Sequence, residues 1–592
     1  MAMSSAPALP PDLAGLSADF PAPSQEAWRA QVDKALKGAS FDRLISRTLD
    51  GLDIQPLYAR ACDGRAPLAR AQAQGWRALT RLDHADPHDA AEQARADLEG
   101  GAQGLHVVMA GARGAYGFGL PNAAGALEDA LAGVDLAQAG IDLDLGPDGE
   151  AALRLAALAE GQGLAPDSAA LSFGLRADDP QLAARAKALA QRGFRGPFAA
   201  ADARAVHAAG GSPAQELAFA LAEAVAILRA LEAGGMDVED ARERLVFRMA
   251  CDADFFLSLC KLRALRLLWA RVEDGCGLAP KAARIHAQTG WRMMTRSDPW
   301  VNVLRTTAAA FAAGAGGADA ISVLPFTQAL GLPDAFARRL ARNVQLVLSE
   351  EAHVARVADP AAGAGGFEAL TDALCDKAWT LFQTLERAGS LHAATQALGA
   401  EIATSCASLR KDVARRKEPI TGASVYPDLA EAPQTTLSPL ARDWRGEDAF
   451  PAMRLTEAFE RLRERSDETL RATGRRPRVF LAALGSLAAA SARLDFARGL
   501  FEAGGFETCA SADFADVAPS GAMLACLCGI DAAYEENGAA AARALKAAGV
   551  RRLWIAGRGG AAEAGLRAAG ADAFVFAGAD ILATLEEAWA AA

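Results

Sequence analysis

Histidine is scarce in this 592-residue chain: seven residues, at positions 84, 88, 106, 207, 286, 353 and 392. The last 200 residues contain none, so no imidazole from that third of the chain can act as a metal ligand, acid or base. Cysteine is present nine times but without framework spacing, and Cys526 and Cys528 fall one residue apart in an apolar run. Reduced, buried thiols of a cytoplasmic protein are expected. There is no long basic run and the net charge is −12, which argues against a nucleic-acid partner. No uncharged apolar run reaches the ~18–20 residues of a membrane span. The opening MAMSSAPALPPDLAGLSADFPAPSQ has no basic region before an apolar core and is poor in arginine. It therefore reads as neither a secretory nor a mitochondrial leader. No Walker-type phosphate loop, Cys/His metal spacing or Ser-His-Asp arrangement is found, so no metal ligand is expected.

Apolar residues make up 52% of the chain, enough for sizeable cores, and the length suits three or four structural units. Residues 1–24 are rich in Pro, Ser and Ala and read as an extended arm, followed by a helix over 24–37 with Ser24 as its cap. From about 75 to 399, short β-rich runs alternate with helix-forming ones. Candidate strands are 105–109, 170–174, 196–199, 245–249, 283–286 and 320–324. Helical periodicity covers 213–232 and 255–272, the latter after the capping residues Asp252 and Asp254, and further helices begin near Asp298 and Pro333. Such alternation buries strands on both faces and implies parallel pairing. Spacing alone leaves a closed barrel and an open doubly wound sheet as alternatives. A charged helix over 454–472 follows a Pro-bearing stretch. The segment 475–592 then places strands at 479–484, 523–527, 552–556 and 573–576, a flavodoxin-like doubly wound pattern.

The segment 244–360 also carries a motif series: Phe255-Phe256, Lys261-Leu262-Arg263-Ala264, Arg266, Leu268-Trp269, Gln288-Thr289-Gly290-Trp291, Asn302, Arg305-Thr306, Ala341-Arg342-Asn343, Gln345 and Asp359-Pro360. In this order it resembles the acyl-CoA-binding barrel of the methylmalonyl-CoA mutase family. The element Gly51–Tyr58 (GLDIQPLY) and the run 420–426 (ITGASVY) resemble the family's barrel entry and exit. The resemblance implies an arm and helix over 1–50 that wraps a partner, a (β/α)8 TIM-type barrel over 51–400, a helical linker over 401–474 and a cobalamin-binding-like domain over 475–592.

The family's chemistry is poorly matched. Its cobalt-binding signature, Asp-x-His-x-x-Gly, falls on Leu487, Ala489 and Ala492, and the lysine of the preceding strand on Ala483. Alanine and leucine offer no cobalt donor. The run 488–492 is strongly helix-forming and is expected to join the first helix and close the cleft that would hold the cofactor's tail. In the barrel, the family's tyrosine position holds Arg81, within WRALTR. The catalytic histidine corresponds to His207 only if two residues are dropped after it, and its tyrosine neighbour is Val206. Arg284, His286 and Gln288, near the QTGW turn, are the substrate-contact remnants.

The whole pattern resembles the small (β) subunits of heterodimeric, adenosylcobalamin-dependent methylmalonyl-CoA mutases, which interconvert methylmalonyl-CoA and succinyl-CoA in propionate metabolism. The expectation is a non-catalytic chain in a cytoplasmic, bacterial 1:1 heterodimer, with the cofactor on the large (α) subunit. The alternative is a homologue that acts or binds acyl-CoA alone.

Overall fold

The computed structural model describes residues 23–61, 75–167, 170–442, 444–446 and 449–592. Most of the expected arm, residues 1–22, lies outside them. The helix after it spans Gln25–Leu36, and Ser24 Oγ caps it by accepting from the Ala27 N–H at 3.2 Å. It buries no residue.

Eight parallel strands follow: β1 (Arg77–Leu82), β2 (Gly104–Val108), β3 (Gly140–Asp144), β4 (Leu171–Ser172), β5 (Ala199–Asp202), β6 (Leu245–Cys251), β7 (Ile285–Thr289) and β8 (Ala320–Ser322). Each pairs with its sequence neighbour except β4 and β5, which end the sheet, and β8 returns to β1. The seam between β4 and β5 is closed by the Leu175–Ala199 bridge and by the Leu175 N–H donating to Phe198 O at 2.8 Å. The chain is thus a closed TIM-type barrel, not the open sheet that spacing alone allowed.

Side chains alternate across each strand. Leu105 and Val107, Ile141 and Leu143, Phe247 and Met249, and Ile285 and Ala287 join the apolar layer under the helices. The residues between them, among them His106, Asp142, Arg248 and His286, turn to the barrel interior. This explains why β1 and β3 escape an apolar-run search: their inward positions are Arg77, Leu79 and Arg81, and Asp142 and Asp144. The strand expected at 196–199 lies three residues later: Gly196 and Pro197 form the approach, where Pro197 has no N–H to donate and only its carbonyl accepts, from Phe173.

The helices match their sequence signals. Phe255–Gly275 is capped by the Asp254 side chain, which accepts from Leu257 N, and Pro213–Ala233 opens with a Ser212/Gln215 capping box. The helix Leu391–Ala414 runs through position 400, and the charged helix is Glu457–Thr473. Val413, Ile420, Ala423 and Phe459 pack into the core of the second domain, joining the two units.

That domain is a parallel sheet of β9 (Arg478–Ala483), β10 (Glu507–Ser511), β11 (Leu524–Cys528), β12 (Arg552–Ala556) and β13 (Ala573–Val575). The order is β10-β9-β11-β12-β13, that of a flavodoxin-like fold. The edge strand β10 carries polar residues (ETCAS), which hides it from an apolar-run search.

Gly174 sets the barrel seam. Its φ is +65°, and a Cβ there would sit 1.9 Å from Leu143 O. Gly174→Ala is expected to cost at least about 2 kcal/mol, from left-handed strain plus backbone displacement. Urea unfolding followed by circular dichroism checks it; an unchanged midpoint would show that the seam tolerates a side chain.

Candidate functional site

In a TIM barrel, reactive groups gather at the carboxyl ends of the strands and in the space they surround. Here that space is occupied by a lattice of buried charges. Arg248 on β6 donates to Asp142 Oδ1 and, at 3.2 Å, to Asp144 Oδ1, both on β3. These strands are not neighbours, so the contacts cross the barrel. Arg204, just after β5, reaches Asp144 Oδ2 at 2.7 Å, Asp202 Oδ1 at 2.9 Å and Gln288 Oε1 at 2.9 Å. His286 on β7 places Nε2 3.0 Å from Ser322 Oγ and Nδ1 3.4 Å from Asp142 Oδ2. The ring of His106 on β2 meets that of His286 edge to face at 4.7 Å. All of these side chains are buried. Burial alone would raise the carboxyl pKa of Asp144, but Arg204 and Arg248 hold it well below the usual range. Burial pushes the imidazole of His106 down to about 3.

The upper mouth is also covered. Tyr116 stacks on Trp291 at 4.7 Å, and Trp444 meets both rings edge-on. Arg81, at the position where the family carries a tyrosine, is paired to Asp83 at 2.5 Å and donates to Ala115 O at 2.7 Å. Asp83 in turn holds Arg338 at 2.8 Å. His207 is 2% exposed, with Nε2 3.0 Å from Asp252 Oδ2, and Arg292 Nη2 donates to the same oxygen at 2.8 Å. Burial and then the Arg292 charge push the His207 imidazole down to about 3. A group so poor in proton affinity and so enclosed is a weak general acid near neutral pH.

Arg284 stands apart from His286 and Gln288. It lies at the amino end of β7, its side chain 45% exposed, donating to Glu243 O at 2.7 Å. His286 and Gln288 share the interior lattice. Sequence reasoning did not single out Asp142, Asp144, Asp202, Arg204 or Arg248 for this role. The available signal was Asp142 and Asp144 at alternate positions of one strand and a lone Arg248 within an apolar one.

In the second domain, ligands of doubly wound sheets sit at the carboxyl ends of the strands, where the strand order reverses. Here β9 gives way through Gly485 to the helix Leu487–Ala503, capped by Ser486. Leu487, Ala489 and Ala492 all lie on that helix and are exposed. From its second turn Arg493 reaches across to Ala556 O and Asp531, over the Tyr534 ring. The Tyr534 hydroxyl accepts from the Gly529 N–H at 2.8 Å and lies 2.8 Å from Ala556 O. Gly557 leaves the room: a Cβ there would meet Arg493 Nη1 at 2.1 Å. The run 488–492 is helical, as its composition predicts, and Arg493 and Tyr534 bond across the strand ends beside it.

A model of the family described as methylmalonyl-CoA mutase matches residues 200–480. The methylmalonyl-CoA mutase small subunit of Streptomyces virginiae is 43% identical over 98% of this chain and 98% of its own length. The small subunit of Propionibacterium freudenreichii subsp. shermanii is 34% identical over 93% and 91%. The chain belongs to the methylmalonyl-CoA mutase family. Methylmalonyl-CoA mutase of Cereibacter sphaeroides is 31% identical over 69% of this chain and 65% of its own length.

The methylmalonyl-CoA mutase family implies isomerase chemistry and, by the motif above, a cobalt-bound corrinoid. The residues in the second domain do not fit that group. Ala489 stands at the histidine position, and no histidine follows residue 392. The thiol of Cys526 is fully buried, and burial together with Cys528 holds its pKa well above the ordinary value, so a thiolate donor there is strongly disfavoured.

His207 generates a pH prediction. Unfolded, it takes up a proton near pH ~6.5; folded, only near 3. Folding therefore excludes a proton across that window, and stability falls as pH drops from 7 toward 4. Between pH 7 and 5 the wild type should lose about 2 kcal/mol more than His207→Gln. Urea titrations of both proteins at each pH measure this, and parallel losses would place the imidazole in a solvated setting.

Proposed function

We propose that this chain is the non-catalytic small subunit of a heterodimeric, adenosylcobalamin-dependent methylmalonyl-CoA mutase. It supports a large subunit that holds the cofactor and interconverts methylmalonyl-CoA and succinyl-CoA. The observation that carries this reading is the second domain's crevice. The position for a cobalt-binding imidazole is an alanine on a regular helix, and Arg493 and Tyr534 occupy the space beside it. The barrel supports the same reading. A radical reaction needs a dry, shaped cavity around the substrate; here the interior is taken up by ion pairs whose removal would strand buried charge.

The scaffold is nevertheless kept whole, which fits a role in association. Catalysis depends on a few interior groups and assembly on surface, so a chain can lose the first and keep the second. The names of its relatives as small subunits support a partner chain. So does the helix Gln25–Leu36, which buries no residue against its own chain. A free helix of that length is marginal in water and gains most from a partner's surface. Among the described residues, no helix is long and apolar enough to cross a membrane.

Co-expression with a homologous large chain that carries Asp-x-His-x-x-Gly tests the proposal. The expected product is a 1:1 complex with mutase activity, while the small chain alone gives no spectral change with adenosylcobalamin and no turnover. Two independent monomers, or a corrinoid spectrum on the small chain alone, would overturn it.

A further inference from the structure

The centre of the barrel holds three potential metal-binding groups on three different strands. His106 on β2, Asp142 on β3 and His286 on β7 each offer a ligand atom, and these atoms lie within 4.8 Å of one another. All three residues are at least nine-tenths buried. Their linear spacing carries no metal signature, since they are brought together only by barrel closure.

Two of the three, His286 and Asp142, are held at their far side by a second partner. Ser322 Oγ lies 3.0 Å from His286 Nε2, which leaves Nδ1 turned to the centre without a well-formed hydrogen bond and 3.4 Å from Asp142 Oδ2. Asp144 Oδ2 lies 3.3 Å from His106 Nε2, yet neither ring nitrogen of His106 has a well-formed hydrogen bond. Arg248 takes Asp142 Oδ1 and leaves Oδ2 free of it. A histidine ligand whose second nitrogen is fixed by a carboxylate or hydroxyl is the usual outer support of a metal site. Buried ring nitrogens without partners are otherwise costly.

Charge points the same way. Asp142, Asp144 and Asp202 face Arg204 and Arg248, so three carboxylates meet two guanidiniums. With neutral imidazoles the layer retains one uncompensated negative charge, which is expensive in a dry interior.

We propose that His106, Asp142 and His286 form a structural site for a divalent transition-metal ion, of which Zn²⁺ is the best match. A two-imidazole, one-carboxylate set suits zinc, with bonds of ~2.0–2.2 Å, and a contraction of roughly an ångström would bring the three donors onto one ion. The ion would tie β2, β3 and β7 together across the barrel and more than offset the negative charge of the layer. It would not supply catalysis, and the site does not depend on the subunit reading above.

The site is enclosed, so the ion must enter during folding. The test uses the tag-free full-length chain, produced in medium supplemented with Zn²⁺ and then exchanged into metal-free buffer. Mass spectrometry of the metals is expected to find close to one equivalent of zinc per chain. Production with Co²⁺ instead should give the visible ligand-field absorption of a low-coordinate cobalt site. His106→Gln, folded by circular dichroism, should lose the metal and the cobalt absorption. If that variant fails to fold, the wild-type stoichiometry and cobalt spectrum decide the matter alone. A folded wild-type chain without retained transition metal or cobalt absorption would overturn the proposal and show that a proton balances the layer. Metal retained equally by a folded His106→Gln would overturn it too, by placing the binding elsewhere.

Discussion

Arg248 and its two aspartates, Asp142 and Asp144, are the constraint from which the barrel's character follows. A guanidinium in a dry interior needs its charge matched and its N–H groups used, and the carboxylates across the barrel do both. Removing any one partner strands the others, so the arrangement holds as a unit. Arg204 extends it to Asp202 and Gln288, and the Tyr116, Trp291 and Trp444 rings cap it above. The barrel interior is thus occupied by the chain's own buried side chains.

The second domain shows the same exchange by other means. A helix starting at Leu487 follows the first strand, and Arg493 and Tyr534 lie together across the strand ends. Both units keep their backbone architecture, with side chains occupying the barrel interior and the strand ends of the sheet. Surfaces can then stay available for association while the interior loses its ligand chemistry. Regular backbone geometry comes from the alternation of strand and helix; the chemistry resides in a few inward-facing positions that can change independently of it.

This division also sets what could be read from sequence. Strands with an apolar run, such as Leu245–Cys251 and Leu524–Cys528, were visible, as were helices with a cap and a 3.6-residue period, such as Phe255–Gly275. The helix over the former ligand motif followed from the propensities of Leu487 to Ala492. The strands Arg77–Leu82 and Gly140–Asp144 were not visible, because their inward charges interrupt any hydrophobic pattern. Nor was the lattice: Arg248 and Asp142 are separated by 106 positions, and only barrel closure places them in contact. His286 could be singled out beside the QTGW turn, but its neighbours His106 and Asp142 could not.

The central claim is that the barrel interior is core and not an acyl-CoA site. Isothermal titration of the isolated chain with methylmalonyl-CoA tests it most directly. The account predicts no heat beyond dilution. Saturable binding near one equivalent per chain, abolished by competition with succinyl-CoA, would contradict it.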